Sequence, residues 1–347
     1  MFEHNYYWQT VAISDTSKIE QIKVFLQQNQ LDLDSQIEYF IVFYRTEDHQ
    51  IIACGGIAPN IIKCVAVSPD YRGQGISLQL ATELINFATE LGYFRLFLYT
   101  KPENEALFAR CGFHTISTAY PHMVLMENSA VRLKKYCEKL AQYRQPGEKI
   151  GSIVMNANPF TLGHRYLIEQ ALKQCDYLHL FLVEEDASKY SYTERFTLVK
   201  QGIADLVDKV SLYPSSSYII SRATFPSYFL KDKGLIDDCF MEIDLKLFRC
   251  HIAPALGITH RFVGTEPNCP VTSLYNQNMS YWLQQADMKA PSIKVVEIQR
   301  KTYQGEPISA SKVRLLVQQK NWSALTHYVP TSTLALLEAN NGIKPNH

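Results

Sequence analysis

Long apolar runs, dense basic clusters and closely spaced cysteines are all missing from this sequence of 347 residues. No apolar stretch approaches the ~18 residues that a membrane-spanning helix needs. There is also no dense Lys/Arg cluster of the kind that binds nucleic acid. The eight cysteines are scattered without a C-x-x-C pair, which is typical of reduced thiols and not of disulfides or zinc ligands. We therefore expect no membrane span and no nucleic-acid partner, and we assign no metal-ligating residues.

The first ten residues, MFEHNYYWQT, contain neither a basic segment nor an apolar stretch, so we expect no signal peptide and a cytoplasmic location. An apolar share of 46% with 20% charged residues is ordinary for a globular protein. The length exceeds what one hydrophobic core comfortably serves, which predicts two domains.

Charge is distributed unevenly along the chain, although the whole sequence is formally neutral. Residues 1–130 contain 8 Lys+Arg against 14 Asp+Glu, and residues 131–347 contain 26 against 20, so the two parts have net charges of −6 and +6. The second part is the better candidate for binding a polyanionic ligand.

Hydrophobic periodicity predicts both helices and strands in the first domain, and a regular alternation of strands and helices in the second domain. SKIEQIKVFLQQN and ISLQLATELINFATELGY have helical periodicity, whereas EYFIVFYR, IIACGGIA, IIKCVAV and FRLFLYT are typical of strands. Beyond the turn-rich QPGEK, strands such as SIVMN, YLHLFLVEE, KVSLYP and RFVGT alternate with helices, which indicates a parallel sheet with helices on both faces. We place the first domain at residues 1–130, a linker helix and turn at 131–147, the second domain at 148–340 and a tail at 341–347.

A glycine-rich loop follows a predicted strand in VAVSPDYRGQGIS, residues 65–77. Gly73 and Gly75 allow a tight turn, so that amide N–H groups at the start of the next helix can converge on a pyrophosphate. Two glycines alone favour the alternative interpretation, which is a plain strand-to-helix turn.

This loop resembles the R-x-x-G-x-G/A motif of the GNAT acetyltransferase superfamily, with Arg72, Gly75 and Ser77 in the motif positions. NEALFARCGF, residues 104–113, resembles the late asparagine and terminal G-F of the same superfamily. The resemblance covers about residues 1–127. It implies an α+β GNAT-like domain in which Arg72, Gly73, Gly75 and Ser77 bind a CoA-like arm. Phe108 stands where many such enzymes have a proton-donating tyrosine, so we expect binding of a pantetheine-like arm and not free-standing N-acetyltransferase activity.

A second loop, NPFTLGH at residues 158–164, lies between a predicted strand and a predicted helix. Pro159 fixes the turn and Gly163 permits close approach of a phosphate, while His164 and Thr161 offer donors near the start of a helix. Such donors stabilise the charge that develops on an ATP α-phosphate under attack. The alternative interpretation is a helix-capping threonine followed by a surface histidine.

Thr161–His164 resembles the T/H-x-G-H signature of the nucleotidyltransferase superfamily, and ISASKVR, residues 308–314, resembles its I-S-S-T-x-x-R signature. The resemblance implies a Rossmann-like domain that attacks ATP at the α-phosphate. The implied catalytic residues are Thr161, His164, Ser309, Ser311 and Arg314. The predicted ATP-binding residues are Asn158, Phe160, Gly163 and Lys189, together with Gly264 and Glu266. The last two lie in VGTEP, which ends a predicted strand at the ligand-binding edge of the sheet, and Glu266 could contact a metal or the nucleotide. Ser191 and Glu194, next to Lys189, predict an S-x-x-E capping box.

The order of the two domains resembles that of the citrate lyase ligase family. SSSYIISRATFPSYFLK, residues 215–231, and FVGTEPNCPVTSLYNQNM, residues 262–279, resemble segments of that family which simpler nucleotidyltransferases lack. The resemblance implies that ATP, Mg²⁺ and acetate form an acetyl-adenylate. The acetyl group then passes to the thiol of a CoA-like prosthetic group on the acyl-carrier subunit of citrate lyase, which is the protein substrate, and AMP and pyrophosphate are released. The aromatic TFPSYF could line an acetate pocket or the channel for the arm, or could be core.

Two alternatives remain at this point. One is an adenylyltransferase that acts on a pantetheine phosphate or a nicotinamide nucleotide. The other is a non-enzymatic sensor of acyl-CoA and ATP. Overall the sequence predicts an α/β protein, with an N-terminal GNAT-like domain followed by a Rossmann-like nucleotidyltransferase domain.

Overall fold

A computed structural model describes residues 5–34, 36–184, 189–214, 216–220, 225, 233–265 and 276–342. The chain forms two compact units. Unit 1 comprises Met1–Lys135 and Phe225–Ile243, and unit 2 comprises Tyr136–Thr224 and Asp244–His347. Residues 225–243 thus group with the N-terminal part, and the domain limits given above stay a prediction.

Unit 1 is built on a mixed sheet that, within the described residues, has seven strands in the order β1-β2-β3-β4-β5-β7-β6. The strands are β1 (Tyr6–Ala12), β2 (Tyr39–Arg45), β3 (Ile51–Ala58), β4 (Ile61–Val67), β5 (Phe97–Thr100), β6 (His114–Ala119) and β7 (Met123–Glu127). The helices of its N-terminal part are α1 (Thr16–Gln28), α2 (Ile76–Glu90) and α3 (Glu105–Arg110), and α4 (Arg132–Ala141) follows. Neighbouring strands are antiparallel except β4 and β5, which are parallel.

The core of unit 1 lies between α2 and one face of its sheet. Leu80 and Leu84 of α2 pack there with Ile41, Phe43 and Leu98, and all five are at most 1% exposed. Burial of such side chains stabilises the fold by about 1.5–3 kcal/mol each. The helix begins after Gly75, whose φ of 84° is left-handed and therefore suits glycine.

Unit 2 contains a parallel sheet, which confirms the prediction from strand–helix alternation. Its strand order is β10-β9-β8-β11-β12. These strands are β8 (Ile150–Met155), β9 (Tyr177–Leu182), β10 (Val210–Tyr213), β11 (His260–Gly264) and β12 (Lys294–Ile298). All of their pairings are parallel. A short antiparallel pair follows, β13 (Thr302–Tyr303) with β14 (Glu306–Pro307).

The helices that follow in the chain are α5 (Leu162–Leu172), α6 (Tyr192–Gly202), α7 (Lys233–Leu247), α8 (Ala253–Leu256), α9 (Ala310–Gln318), α10 (Trp322–Leu325) and α11 (Thr331–Asn340). The predicted capping box is confirmed, because Ser191 caps α6 and the Glu194 side chain accepts from the Ser191 N–H. The chain proceeds from β8 to β9 and β10 on one side of the sheet, and β11 and β12 lie on the other. The strand order therefore switches between β8 and β11, where open α/β sheets bind ligands at the carboxyl ends of the strands.

Among the described residues, no helix is both long and apolar enough to cross a membrane. Within the same residues, no group of three or more His, Cys, Asp or Glu side chains is placed to hold a metal ion.

Candidate active site

A cavity of about 300 Å³ opens at the carboxyl edge of the parallel sheet in unit 2. Its lining comes from the start of α5, from Gly264 at the end of β11, from the residues that follow β12 and from the start of α9. The lining residues are Thr161, Gly163, His164, Tyr166, Leu167, Gly264, Ile298, Gln299, Arg300, Ile308, Ser309, Ala310 and Ser311. Both nucleotidyltransferase-like motifs therefore contribute to one cavity, although they are separated by about 150 residues of sequence.

The first turn of α5 fixes the His164 ring. Thr161 is the N-cap, its backbone N–H donates to His164 Nδ1 over 3.0 Å, and its hydroxyl lies 2.9 Å from the same nitrogen. The Thr161 hydroxyl also accepts from the backbone N–H of His164 over 3.3 Å. Because a backbone N–H can only donate, Nδ1 carries no proton, and a neutral ring then carries its proton on Nε2. The cap thus selects the tautomer that can donate from Nε2.

Neutral His164 is further favoured by its surroundings. Burial and, to a smaller extent, the positive charge of Arg300 together lower the pKa of His164 to about 4. The His164 ring also stacks on the buried Phe160, with centroids 5.7 Å apart and planes inclined by 18°. At neutral pH the ring is therefore a fixed, uncharged donor.

The two motifs pack directly against each other. A Cβ built on Gly163 would lie 2.7 Å from the carbonyl oxygen of Ile308, a distance that real Cβ atoms do not show. Arg314 of the second motif contacts the first motif, because its Nη1 donates to the carbonyl of Asn158 over 2.6 Å. Its Nη2 donates to the Ser311 hydroxyl of its own motif over 2.9 Å. The planar guanidinium suits such a two-point contact.

A second helix N-terminus lies at the same cavity. Ser309 caps α9 and accepts from the backbone N–H of Lys312 over 3.2 Å. Ala310 occupies the first helical position, and the exposed Ser311 follows. The cavity is thus bordered by the N-termini of α5 and α9, and the positive end of a helix dipole favours a bound anion.

The remaining predicted ATP-binding residues, Asn158, Phe160, Lys189 and Glu266, are not among the described residues that line this cavity. Asn158 accepts from the backbone N–H of Tyr190 over 3.4 Å, so it links the first loop to the segment before α6. Lys189 is exposed, with its Nζ 6.0 Å from the Tyr190 ring centroid. Glu266 lies outside the described residues. Of the aromatic segment TFPSYF, the structure describes Phe225.

Two arginines of unit 2, one in the cavity and one buried elsewhere in the unit, were not found from the sequence. Arg300 lines the cavity two residues beyond β12. Arg195 is 0% exposed and donates to the carbonyls of Asn156, Val183 and Tyr190 over 2.7–3.2 Å. It therefore joins the residues that follow β8 and β9 to the segment before α6. IKVVEI before Arg300 indicates a strand but not its neighbour in the sheet, and nothing local marks Arg195 as buried.

A separate cavity of about 490 Å³ lies in unit 1. Arg72, Gly73, Ser77 and Phe108 contribute to its lining. Gly73 has a φ of 78°, and Gly75 is the N-cap residue of α2. The Arg72 side chain is held by a bond from its Nε to the carbonyl of Val67 over 3.1 Å. The predicted loop thus adopts left-handed turns at both glycines beside a cavity.

Comparison with known families assigns both parts of the chain. The model of the acetyltransferase (GNAT) family matches residues 6–113, and that of the citrate lyase ligase C-terminal domain matches residues 150–337. Among solved structures, ElaA of Escherichia coli is 18% identical, with 36% of this chain and 99% of ElaA covered and a TM-score of 0.32. At that score the likeness supports no inference.

Full-length relatives share both parts. A citrate (pro-3S)-lyase ligase of Haemophilus influenzae is 59% identical over 325 residues, which is 94% of this chain and 96% of the relative. The ligases of that name from Escherichia coli and Klebsiella pneumoniae are each 55% identical, over 94% of this chain and 92% and 94% of their own lengths. The chain therefore belongs to the citrate lyase ligase family.

Proposed function

We propose that this chain is an ATP-dependent ligase that acetylates the prosthetic-group thiol of the citrate lyase acyl carrier and so activates citrate lyase. In the first step a carboxylate oxygen of acetate attacks the α-phosphorus of ATP, the bond to the β-phosphate oxygen breaks, and acetyl-adenylate and pyrophosphate result. In the second step the thiol sulfur attacks the acetyl carbon, AMP leaves, and the thiol proton passes to solvent. The new bond is a carbon–sulfur thioester bond.

One observation carries the proposal: two helix N-termini and a neutral histidine meet at a single cavity that two distant motifs build together. The Nε2–H of His164 donates to a non-bridging oxygen of the α-phosphate as negative charge grows there. Preorganised donors of this kind reduce the barrier most when they need no rearrangement during the reaction. Thr161 acts through His164, because its hydroxyl and its backbone N–H are engaged in holding the ring.

The other predicted residues take related roles in this proposal. Ser309 and Ser311 present the N-terminus of α9 to the phosphates, and Arg314 holds the two motifs at their correct spacing. Arg300 supplies a positive charge at the cavity wall, opposite to the charge of the triphosphate. The further ATP contacts that we propose are Asn158, Phe160, Gly163, Lys189, Gly264 and Glu266.

We propose that Mg²⁺ enters with the triphosphate. The described residues that line the cavity include no carboxylate, and Mg²⁺ in such sites is held largely by substrate phosphates and water. When bound, the ion neutralises phosphate charge. The protein side chains then provide orientation and hydrogen-bond donors.

The cavity in unit 1 is the proposed site for the CoA-like arm of the carrier. Arg72, Gly73 and Gly75 belong to the strand-to-helix loop and Ser77 to the first turn of α2, where backbone amide groups favour a pyrophosphate. Phe108 is 6% exposed and has no proton to give, so it can only shape this cavity. Unit 1 therefore binds the thiol substrate in this proposal, and unit 2 performs the activation.

The two half-reactions can be measured separately. Labelled pyrophosphate should exchange into ATP only when acetate is present, and AMP should accumulate only when thiol-form citrate lyase is added, together with recovery of lyase activity. Exchange that depends on a pantetheine phosphate or a nicotinamide nucleotide, and not on acetate, would show an adenylyltransferase instead. Binding of ATP and acyl-CoA without any AMP formation would show a sensor.

A further inference from the structure

The cavity of unit 1 lies where two parallel strands separate. β4 and β5 are paired through Ile61 with Phe97 and through Ile62 with Leu98. The later residues of these two strands, all of which the structure describes, are not paired with each other. The lining includes Val65, Ala66 and Val67 of β4 and Tyr99 and Thr100 of β5. The Arg72 loop follows the carboxyl end of β4, and Tyr99 lies across the split from it.

The Tyr99 ring packs against aromatic residues that come from the second half of the sequence. Side chains alternate along a strand, so Tyr99 faces away from the core in which Leu98 packs beneath α2. Its ring meets Phe225 edge to face at 5.1 Å and 73°, and Phe225 meets Phe240 of α7 in the same way at 5.3 Å and 75°. The three rings are 5–8% exposed, so they form a buried, closely packed wall.

The second-half residues in this wall are part of unit 1. Residues 225–243 group with the N-terminal part of the chain, although they follow β10 in sequence. A hydrogen bond from the hydroxyl of Ser117 on β6 to the carbonyl of Ile243, 3.0 Å long, ties the end of this segment to the unit-1 sheet. The sequence that encodes the adenylate-forming unit thus also supplies part of the structure around the other cavity.

We propose that Phe225 is a positioning residue for the thiol-bearing arm. With Phe240 it backs Tyr99 and sets the position of the cavity wall against which the pantetheine end of the arm lies. Acyl transfer requires the sulfur to be held within about 3–3.5 Å of the acetyl carbon, and a displacement of about 1 Å can lower the rate 10²-fold. The inference rests on the proposed function, since it assigns the unit-1 cavity to the arm.

The test compares Phe225→Ala and Phe225→Leu in the full chain. Acetate-dependent pyrophosphate exchange should remain within about twofold of the wild type, because Phe225 is not part of the unit-2 cavity. For Phe225→Ala, kcat/KM for acetylation of thiol-form citrate lyase should fall about tenfold, and the Kd of free CoA measured by calorimetry should rise by a similar factor. Phe225→Leu fills most of the volume and should recover part of both effects.

Phe87→Ala is the matched control. It removes another edge-to-face pair of unit 1, with Tyr39 at 5.4 Å and 79°, and neither ring lines the cavity. Both the exchange and the acetylation should then stay close to wild type. The inference is overturned if Phe225→Ala leaves acetylation and CoA affinity unchanged, or if it lowers exchange and acetylation equally. If the wild type itself shows no acetate-dependent exchange, the proposed function fails, whereas the comparison of CoA affinities still tests the role of Phe225.

Discussion

Replacement of Gly163 by alanine tests whether contact between the two motifs is needed for adenylate formation. An alanine Cβ at this position would lie 2.7 Å from the carbonyl oxygen of Ile308, and 3.4 Å is the lower limit of ordinary contact. The α9 segment would therefore have to move by about 0.7 Å relative to α5, within a site where about 1 Å can change a rate 10²-fold. Intrinsic helix propensity points the opposite way, since alanine in a helix is favoured over glycine by up to about 1 kcal/mol.

Packing against a backbone atom should outweigh propensity here. We expect Gly163→Ala to lower the free energy of unfolding by about 1–3 kcal/mol and to slow acetate-dependent pyrophosphate exchange by about tenfold or more. Gly264→Ala is the control for the stability measurement alone, because its Cβ would meet only the Arg300 side chain, at 3.6 Å, whereas Gly264 itself is a proposed ATP contact. A Gly163→Ala enzyme that is more stable than the wild type and exchanges pyrophosphate at the normal rate would refute the direct packing of the motifs.

Three further perturbations probe the same unit. Arg314→Lys should slow acetate-dependent pyrophosphate exchange by about tenfold, because an ammonium group cannot bond both the Asn158 carbonyl and the Ser311 hydroxyl as the guanidinium does. A normal exchange rate would contradict this two-point contact. Arg195→Met should lower the free energy of unfolding by about 3 kcal/mol in urea denaturation, because several carbonyls lose their donor. Lys312→Met breaks only an exposed ion pair and should leave the free energy of unfolding nearly unchanged. Burial lowers the pKa of His179 from 6.5 to about 4. The neutral ring therefore contributes about 3 kcal/mol to the free energy of unfolding above pH 6.5, and this contribution is lost as the pH falls toward 4. In His179→Leu, the free energy of unfolding should decline less over this pH range.

The features that the sequence predicted well are those with a local physical cause. The sequence predicts Ser191 as an N-cap and gives capping as the alternative interpretation of Thr161, and both residues are N-caps in the structure. The parallel sheet followed from the alternation of strands and helices, which leaves few other ways to bury both kinds of element. Gly73 and Gly75 were assigned to a tight loop, and both have left-handed φ angles.

Features that depend on long-range packing left little trace in the sequence. β1 is an edge strand in which six of the seven residues are exposed or half-buried and only Val11 is buried, so it lacks a clear alternation. Arg300 enters the cavity because β12 lies next to β11, and neither strand alone indicates that pairing. Phe225 is a similar case. The aromatic segment around it predicted either the lining of a pocket or channel or a core position, but it did not indicate that Phe225 belongs to unit 1.

Gly163 and Thr161 illustrate how a motif residue can act through its neighbours. The sequence suggested that glycine leaves room for a phosphate and that the threonine hydroxyl donates to one. In the structure, Gly163 leaves room for the Ile308 carbonyl, and the 1% exposed Thr161 holds the His164 ring through Nδ1. If this assignment is correct, Thr161→Val should lower the rate of exchange mainly through loss of orientation, since the backbone N–H still selects the Nε2–H tautomer. The decrease should therefore be smaller than the 10²–10³-fold expected for His164→Ala. Equal losses in the two variants would instead indicate that the threonine hydroxyl contacts the nucleotide itself.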